Sequence, residues 1–375
     1  MKGNLASVFF LAIGFVAANV FAEESAKDTW ALFRGNSLGT GVSKSTLPEK
    51  PAVLWKYEVE NGAFESTAAI LNGVVYIGDL DGNFFALDLQ TGNEKWKITV
   101  ENTGFPGSPA VRGDRIYVGD YDGKLYCLDI VNGDIKWTYE SAAEISASPN
   151  FYKDKVLFGS QDANLYCLDA ATGELTWKFP IEDQIRCCPT IVQGRAFLAG
   201  CDGQLHIIDV DKGERIAQVP INAPTGVTPA AIGDHVFFGT EGGEFFCINW
   251  RTAKTEWTYA DPRSYQSIRS SPAATQDVAI YGSRSKQIYA VDSKKGELLW
   301  KVPTRRGVDS SVVITGDRAF VGVTDGKLMA IDIKSGKVVW NFQGRGGFVG
   351  SPAIAENRMV LASDEGIIYC FGKKE

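Results

Sequence analysis

VRGDRIYVGDYDGKLYCLDIVNGDIKW, residues 111–137, is the stretch from which the fold can be read. Residues 116–118 and 125–128 are short runs of β-branched and aromatic side chains bounded by Gly-Asp or Asp-Gly, a pattern of strand, tight turn, strand. A further turn at Asn132-Gly133 leads into a strand that carries Trp137. The pattern recurs along the chain. An Asp or Asn ends the third strand and a Trp follows eight positions later, at Asp88 and Trp96, Asp129 and Trp137, Asp169 and Trp177, Asn249 and Trp257, Asp292 and Trp300, and Asp332 and Trp340. Asp209 breaks the rule, with Ala217 in the Trp place. A Gly sits between the two in each unit except at Ala253, as a turn that needs positive φ demands.

Neighbouring Trp positions lie 40–43 residues apart, the length of a four-stranded propeller blade. Third strands fall at 84–88, 125–129, 165–169, 205–209, 245–249, 288–292, 328–332 and 368–371, which makes eight units. The eighth stops at Glu375 before a Trp strand can form, while Leu54-Trp55-Lys56-Tyr57 has the Trp strand with none of the three before it. The expectation is an all-β, eight-bladed β-propeller of four-stranded blades, closed by an N-terminal strand that completes the last blade and leaves no free radial edge. The inner strands should be apolar on both faces because neighbouring blades cover both. The periodic Trp residues, including Trp55, should dock in the seams between blades.

The stretch Ala86-Leu87-Asp88-Leu89-Gln90-Thr91-Gly92-Asn93-Glu94-Lys95-Trp96 resembles the tryptophan-docking motif of the PQQ-repeat (quinoprotein) propellers. The resemblance covers about residue 53 to the C-terminus. It implies a fold shared by quinoprotein dehydrogenases and by non-enzymatic, BamB-like outer-membrane assembly factors, so it does not by itself choose a function.

Composition is that of a globular protein, with 45% hydrophobic residues. The formal charge of −7 argues against nucleic acid as a main partner, because phosphate binding wants a basic footprint. Residues 1–22 read as a signal peptide, with Lys2 ahead of an apolar run and a cleavage site at Val20-Phe21-Ala22. This implies a periplasmic or secreted protein with no membrane span after cleavage, and a monomer is expected. An uncleaved anchor is the competing reading, and no Cys follows the apolar run to suggest lipidation, a departure from the assembly-factor pattern. Residues 23–53 read as an extension, draped over the propeller of residues 54–375 with Trp30, Leu32 and Phe33 as anchors, or else disordered to about Lys50.

Four of the seven cysteines, Cys127, Cys167, Cys247 and Cys370, share one slot of the third strand, where Ala86, Ala290 and Ala330 stand in other units. A small buried apolar side chain accounts for them. Cys187, Cys188 and Cys201 all belong to blade four. Antiparallel pairing sets Cys188 opposite Ala199 and Arg186 opposite Cys201, gathering three thiols and a guanidinium at the channel mouth. A vicinal disulfide, a Cys187–Cys201 bridge, a soft-metal site, or small residues tolerated where other blades have Ser or Gly all fit this placement. The vicinal pair of quinoprotein dehydrogenases is not carried over, since Cys187 and Cys188 occupy a slot within the repeat. His206 and His235 form no triad and read as structural.

One column varies informatively: Glu65, Pro106, Ser146, Arg186, Gly226, Arg269, Asp309 and Val349 precede the inner strands. The residue before each is apolar in every blade except at Thr225, so one position packs while the next faces the channel. Glu65, Arg186, Arg269 and Asp309 should therefore line the mouth, joined from the preceding loops by Arg263, Arg305, Arg306 and Arg345. The resemblance implies two functions that this arrangement could serve. One is a non-catalytic extracytoplasmic binding or scaffold propeller that presents its loop face to an envelope protein or peptide, with no cofactor, metal or catalytic residue. The other is a small oxidoreductase holding PQQ with calcium at the mouth and acting on an alcohol or sugar. The scarcity of convergent carboxylates favours the first.

Overall fold

The computed structural model describes residues 28–374, so the signal-peptide reading lies outside the described residues. The repeat forms eight antiparallel sheets, seven of which run in sequence order from an inner to an outer strand. In blade two the strands are Ala110–Arg112, Arg115–Gly119, Lys124–Asp129 and Ile135–Glu140. Blade eight combines Ala353–Ala355, Arg358–Ala362 and Ile367–Gly372 with Ala52–Glu58 from the other end of the chain. Trp55 pairs with Cys370 and Lys56 with Tyr369, so the ring closes as the sequence predicts.

Burial follows from this layering. The middle of each third strand is buried on both faces, whereas outer strands such as Ile135–Glu140 are mostly exposed. The Asp of the repeat organises the turn that follows. Asp88 Oδ1 accepts from the backbone N–H of Gln90 and Thr91 and from the Thr91 hydroxyl, at 3.0, 2.9 and 2.9 Å. Gly92 then takes φ +75°, and a Cβ there would lie 2.6 Å from the Trp55 ring. The Trp of one blade thus docks on the Gly turn of the next, with Trp55 Nε1 donating to Leu89 O at 2.9 Å. Across the strand pair, each Trp faces a small residue: Cys127 opposite Trp137, Cys167 opposite Trp177, Cys247 opposite Trp257, and Ala86 opposite Trp96. The four recurrent cysteines are space-makers for an indole.

The two lapses in the repeat are one feature. Ala217 of blade four would dock on the turn of blade five, which is where Ala253 replaces Gly at φ +52°. With no indole above it, a Cβ is tolerated, and Ile207, opposite Ala217, is larger than the residues that face a Trp. Trp250, in blade five, supplies the missing ring. It is buried in a cluster with Phe197 and Ile207 that Ala217 and Ala253 flank, and its Nε1 donates to Gly233 O at 3.0 Å.

From residue 28 the chain is a strap across the face opposite the mouth. Trp30 exchanges backbone hydrogen bonds with Ile70 of blade one (2.9 and 3.0 Å), and Ala31 O accepts from Val111 of blade two. The chain then swings across the axis: Arg34 Nη2 donates to Pro272 O (3.0 Å) and Val312 O, on blades six and seven. It returns to blade four, where Ser37 O accepts from Ile191, and continues through Leu38, Thr40 and Gly41, whose carbonyls accept from Ala231, Ala274 and Ile314. Val42–Ser43 pairs in parallel with blade seven, and Ser43 Oγ donates to Ile354 O of blade eight at 2.7 Å. Outward-facing inner-strand N–H groups of six blades, all but three and eight, are thereby satisfied, and in blade three the Phe151 N–H donates to Asn150 Oδ1. Of the expected anchors Trp30 is buried, while Leu32 and Phe33 are half-buried.

Candidate functional site at the channel mouth

All eight members of the variable column line the bore, and the residues before them are buried. The bore opens on the face made by the turns between second and third strands and by the loops between blades. Arg186 and Arg269 share Glu241, their Nη2 atoms lying 3.2 and 3.6 Å from Glu241 Oε1. Arg284 grips Asp309 with two parallel bonds of 2.9 and 2.8 Å. Glu241 and Arg284 also line the mouth, and the reading of the sequence missed them. Both come from the turn between second and third strands, in the same repeat position as Cys201, Tyr121 and Asp364. Aligning that turn column, as the inner-strand column is aligned, would have found them.

Arg305 and Arg345, expected at the mouth, do not line it. Arg305 borders a separate surface cavity with Asp325 and Lys327. Arg345 is not among the residues lining the bore and pairs instead with Glu365 at 3.2 Å, both side chains being more than half exposed. Arg263 and Arg306 are likewise not among the lining residues. Proximity in sequence to the column thus did not place these four side chains among the residues that line the bore.

Glu65 has no basic partner among the described residues. Burial pushes its carboxyl upward, reinforced by the nearby acids Asp364, Glu144 and Asp309. The mouth is therefore polarised, with acids over blades eight, one and three and guanidiniums over blades four to six. Tyr121 and Tyr265 stand exposed on the same face, at 38% and 77%.

Below the charges runs a ring of hydrogen bonds. The Thr67 amide donates to Ser108 Oγ (2.8 Å) and the Ser108 amide to Ser148 Oγ (3.0 Å). The ring resumes from the Cys188 amide to Thr228, then Ser271, Ser311, Ser351 and back to Thr67, at 2.8–3.1 Å. Its one gap among the described residues is at Ser148, whose neighbour in the ring is the Cys188 thiol. Cys187 plays a similar substitute role, its Sγ donating to Ala199 O at 3.3 Å as Ser66 Oγ donates to Gly78 O at 2.9 Å. All three thiols are free and buried. Cys201 Sγ accepts from Arg186 Nε and Nη2 at 3.2 and 3.1 Å, which brings together the predicted Arg186–Cys201 pair. Burial pushes the Cys187 thiol up to about 12 and Cys188 well above its ordinary value, so both stay protonated and unreactive. Replacing Cys188 by Ser should close the ring and raise stability by about 1 kcal/mol, read by urea denaturation.

Neither histidine belongs to the mouth's lining. His206 Nε2 lies 2.8 Å from buried Asp202, and His235 Nε2 lies 3.0 Å from Glu256.

Among known proteins, the family model for outer membrane protein assembly factor BamB matches residues 44–259, 161–303 and 284–374 in overlapping stretches. The chain belongs to this BamB family of PQQ-repeat propellers. BamB from Moraxella catarrhalis superposes with a TM-score of 0.74 at 20% identity, over 87% of this chain and 98% of that one. Quinohemoprotein alcohol dehydrogenase from Comamonas testosteroni superposes with 0.78 at 15% identity, over 93% of this chain and 81% of that one. The computationally designed Ika8 protein gives 0.77 at 14% identity, over 86% and 99%. At these identities the likeness is one of fold. No curated protein sequence matches the chain.

The fold is shared with a quinohemoprotein dehydrogenase, and the oxidoreductase reading would place a calcium-bound quinone at the mouth. A calcium site needs several convergent oxygen ligands. Here Glu241 is held by two arginines and Asp309 by a third. Among the described residues no group of three His, Cys, Asp or Glu side chains is placed to hold a metal ion. The donor set does not fit that group. No described helix is long and apolar enough to cross a membrane.

Proposed function

We propose that this BamB-family propeller is a non-catalytic, extracytoplasmic, monomeric scaffold whose mouth face docks a protein or extended peptide of the cell envelope. The observation that carries the reading is the polarised mouth. Two guanidiniums share one carboxylate on one side, an unpaired Glu65 stands on the other, and exposed tyrosines flank both. A partner offering an acid to Arg186 and Arg269 and a base to Glu65 completes both halves, and aromatic and arginine side chains are the usual anchors of such interfaces. Joint substitution Arg186→Glu and Arg269→Glu should remove at least one partner from those recovered by cross-linking in the envelope. An unchanged partner set counts against the mouth as the docking face.

The oxidoreductase alternative has its own test. Titration of the purified protein with PQQ and calcium should give no absorption change and no dye-linked oxidation of alcohols or sugars, whereas turnover would favour the enzyme.

A further inference from the structure

Arg34 is fully buried, and among the described residues it has no acidic partner. Its Nη2 is spent on two carbonyls, while Nε and Nη1 have no hydrogen-bond partner. An uncompensated buried charge is costly, and arginine does not escape the cost by losing its proton under ordinary conditions. The carbonyls it holds belong to Pro272 and Val312, each one residue past a member of the hydroxyl ring, Ser271 and Ser311. The guanidinium therefore lies close to that ring on the strap side, behind Phe33, which is the strap residue that lines the cavity.

The ring itself is rich in donors. Each of its seven hydroxyl oxygens accepts a backbone N–H, except that Cys188 leaves the Ser148 amide without such an acceptor. None of the seven hydroxyl protons is given to a protein acceptor among the described residues. These hydroxyls face a cavity of about 150 Å³ in the bore, with Phe33 of the strap at its base and Glu65 and Asp309 higher up its wall. Asp309 is neutralised by Arg284, which leaves Glu65 as the acid opposing an anion from above.

We propose that the bore holds one small oxyanion or carboxylate, seated on the hydroxyl ring above Arg34. The ring presents donors from every side, so the anion is recognised by charge and size rather than by orientation, and hydrogen bonds to an ionised acceptor are the strong ones. The inference goes beyond docking at the rim and does not depend on it: the site would bind a free anion whether or not a protein partner covers the mouth. The same chemistry also fits the terminal carboxylate of a peptide entering from the mouth.

The test uses sulfate and selenate on the purified protein. Crystals soaked in selenate should show an anomalous peak inside the ring, within hydrogen-bonding distance of its hydroxyls. Calorimetric titration with sulfate at constant ionic strength should give one site that chloride does not match. Ser271→Ala with Ser311→Ala should weaken sulfate at least tenfold while circular dichroism stays native. Arg34→Lys, which keeps the charge but loses the fork, gives a second variant should the serine pair fail to fold. Competition by a short peptide with a free C-terminus, but not by its amide, would assign the site to peptide ends; sulfate binding with no such competition would assign it to free anions. Water alone in the ring, or selenate confined to the outer surface, overturns the proposal.

Discussion

Replacing Trp55 by alanine should lower stability by about 3–5 kcal/mol, measured by urea denaturation followed by circular dichroism. The residue is nearly buried, at 9% exposure, in the outer strand that closes blade eight. Its indole covers the Gly92 turn of blade one and donates to Leu89 O at 2.9 Å, so one side chain holds both the last blade to its borrowed strand and the last blade to the first. The substitution opens a cavity between strands that are more than 300 residues apart in sequence, where pairing Trp55 with Cys370 closes the ring. Val339→Ala, on the exposed face of another outer strand, should leave stability within about 0.5 kcal/mol of the parent. A loss under 1 kcal/mol at Trp55 would show that closure does not depend on the N-terminal strand.

Trp30→Ala should cost a similar amount, about 3–5 kcal/mol, for a different reason. Trp30 is 1% exposed and is the largest side chain that anchors the strap. The strap packs so closely on it that a Cβ at Gly35 would meet the ring at 2.8 Å. Its Nε1 has no hydrogen-bond partner, so Trp30→Phe, which keeps most of the buried area and loses no bond, should cost much less than Trp30→Ala. Hydrogen exchange should speed up in residues 30–41 and at the inner-strand amides they cover, such as Ile191 and Ala231, while the third strands stay protected. Losses under about 1 kcal/mol for both Phe and Ala would mean that the strap is held by its backbone alone.

The architecture was legible because a propeller repeats one solution. The Asp turn, the Gly at positive φ and the docked Trp recur with fixed spacing, so register follows from counting. The channel column was legible for the same reason, since alternation of packed and facing residues holds in each blade. What escaped the reading was non-repeating or shared between repeats. The loss of Trp at Ala217 is answered by Ala253 and Trp250 in the next blade and by Ile207 on the adjacent strand, a compensation visible only when the seam is assembled. Arg34 crosses the axis in a segment with no periodicity at all. Arg305 and Arg345 lie on loops outside the repeating column and are not among the bore's lining residues, whereas Glu241 and Arg284 sit on the turns between second and third strands and are.

On the proposed function, a partner docks on the mouth face and not on the strapped face. A photo-crosslinking side chain placed at Tyr265, exposed at the mouth, and separately at Lys295, on the turns of the opposite face, tests it most directly in intact cells. Adducts from position 265 and none from 295 are the predicted result. Adducts from 295 alone, or the same adducts from both, would contradict it.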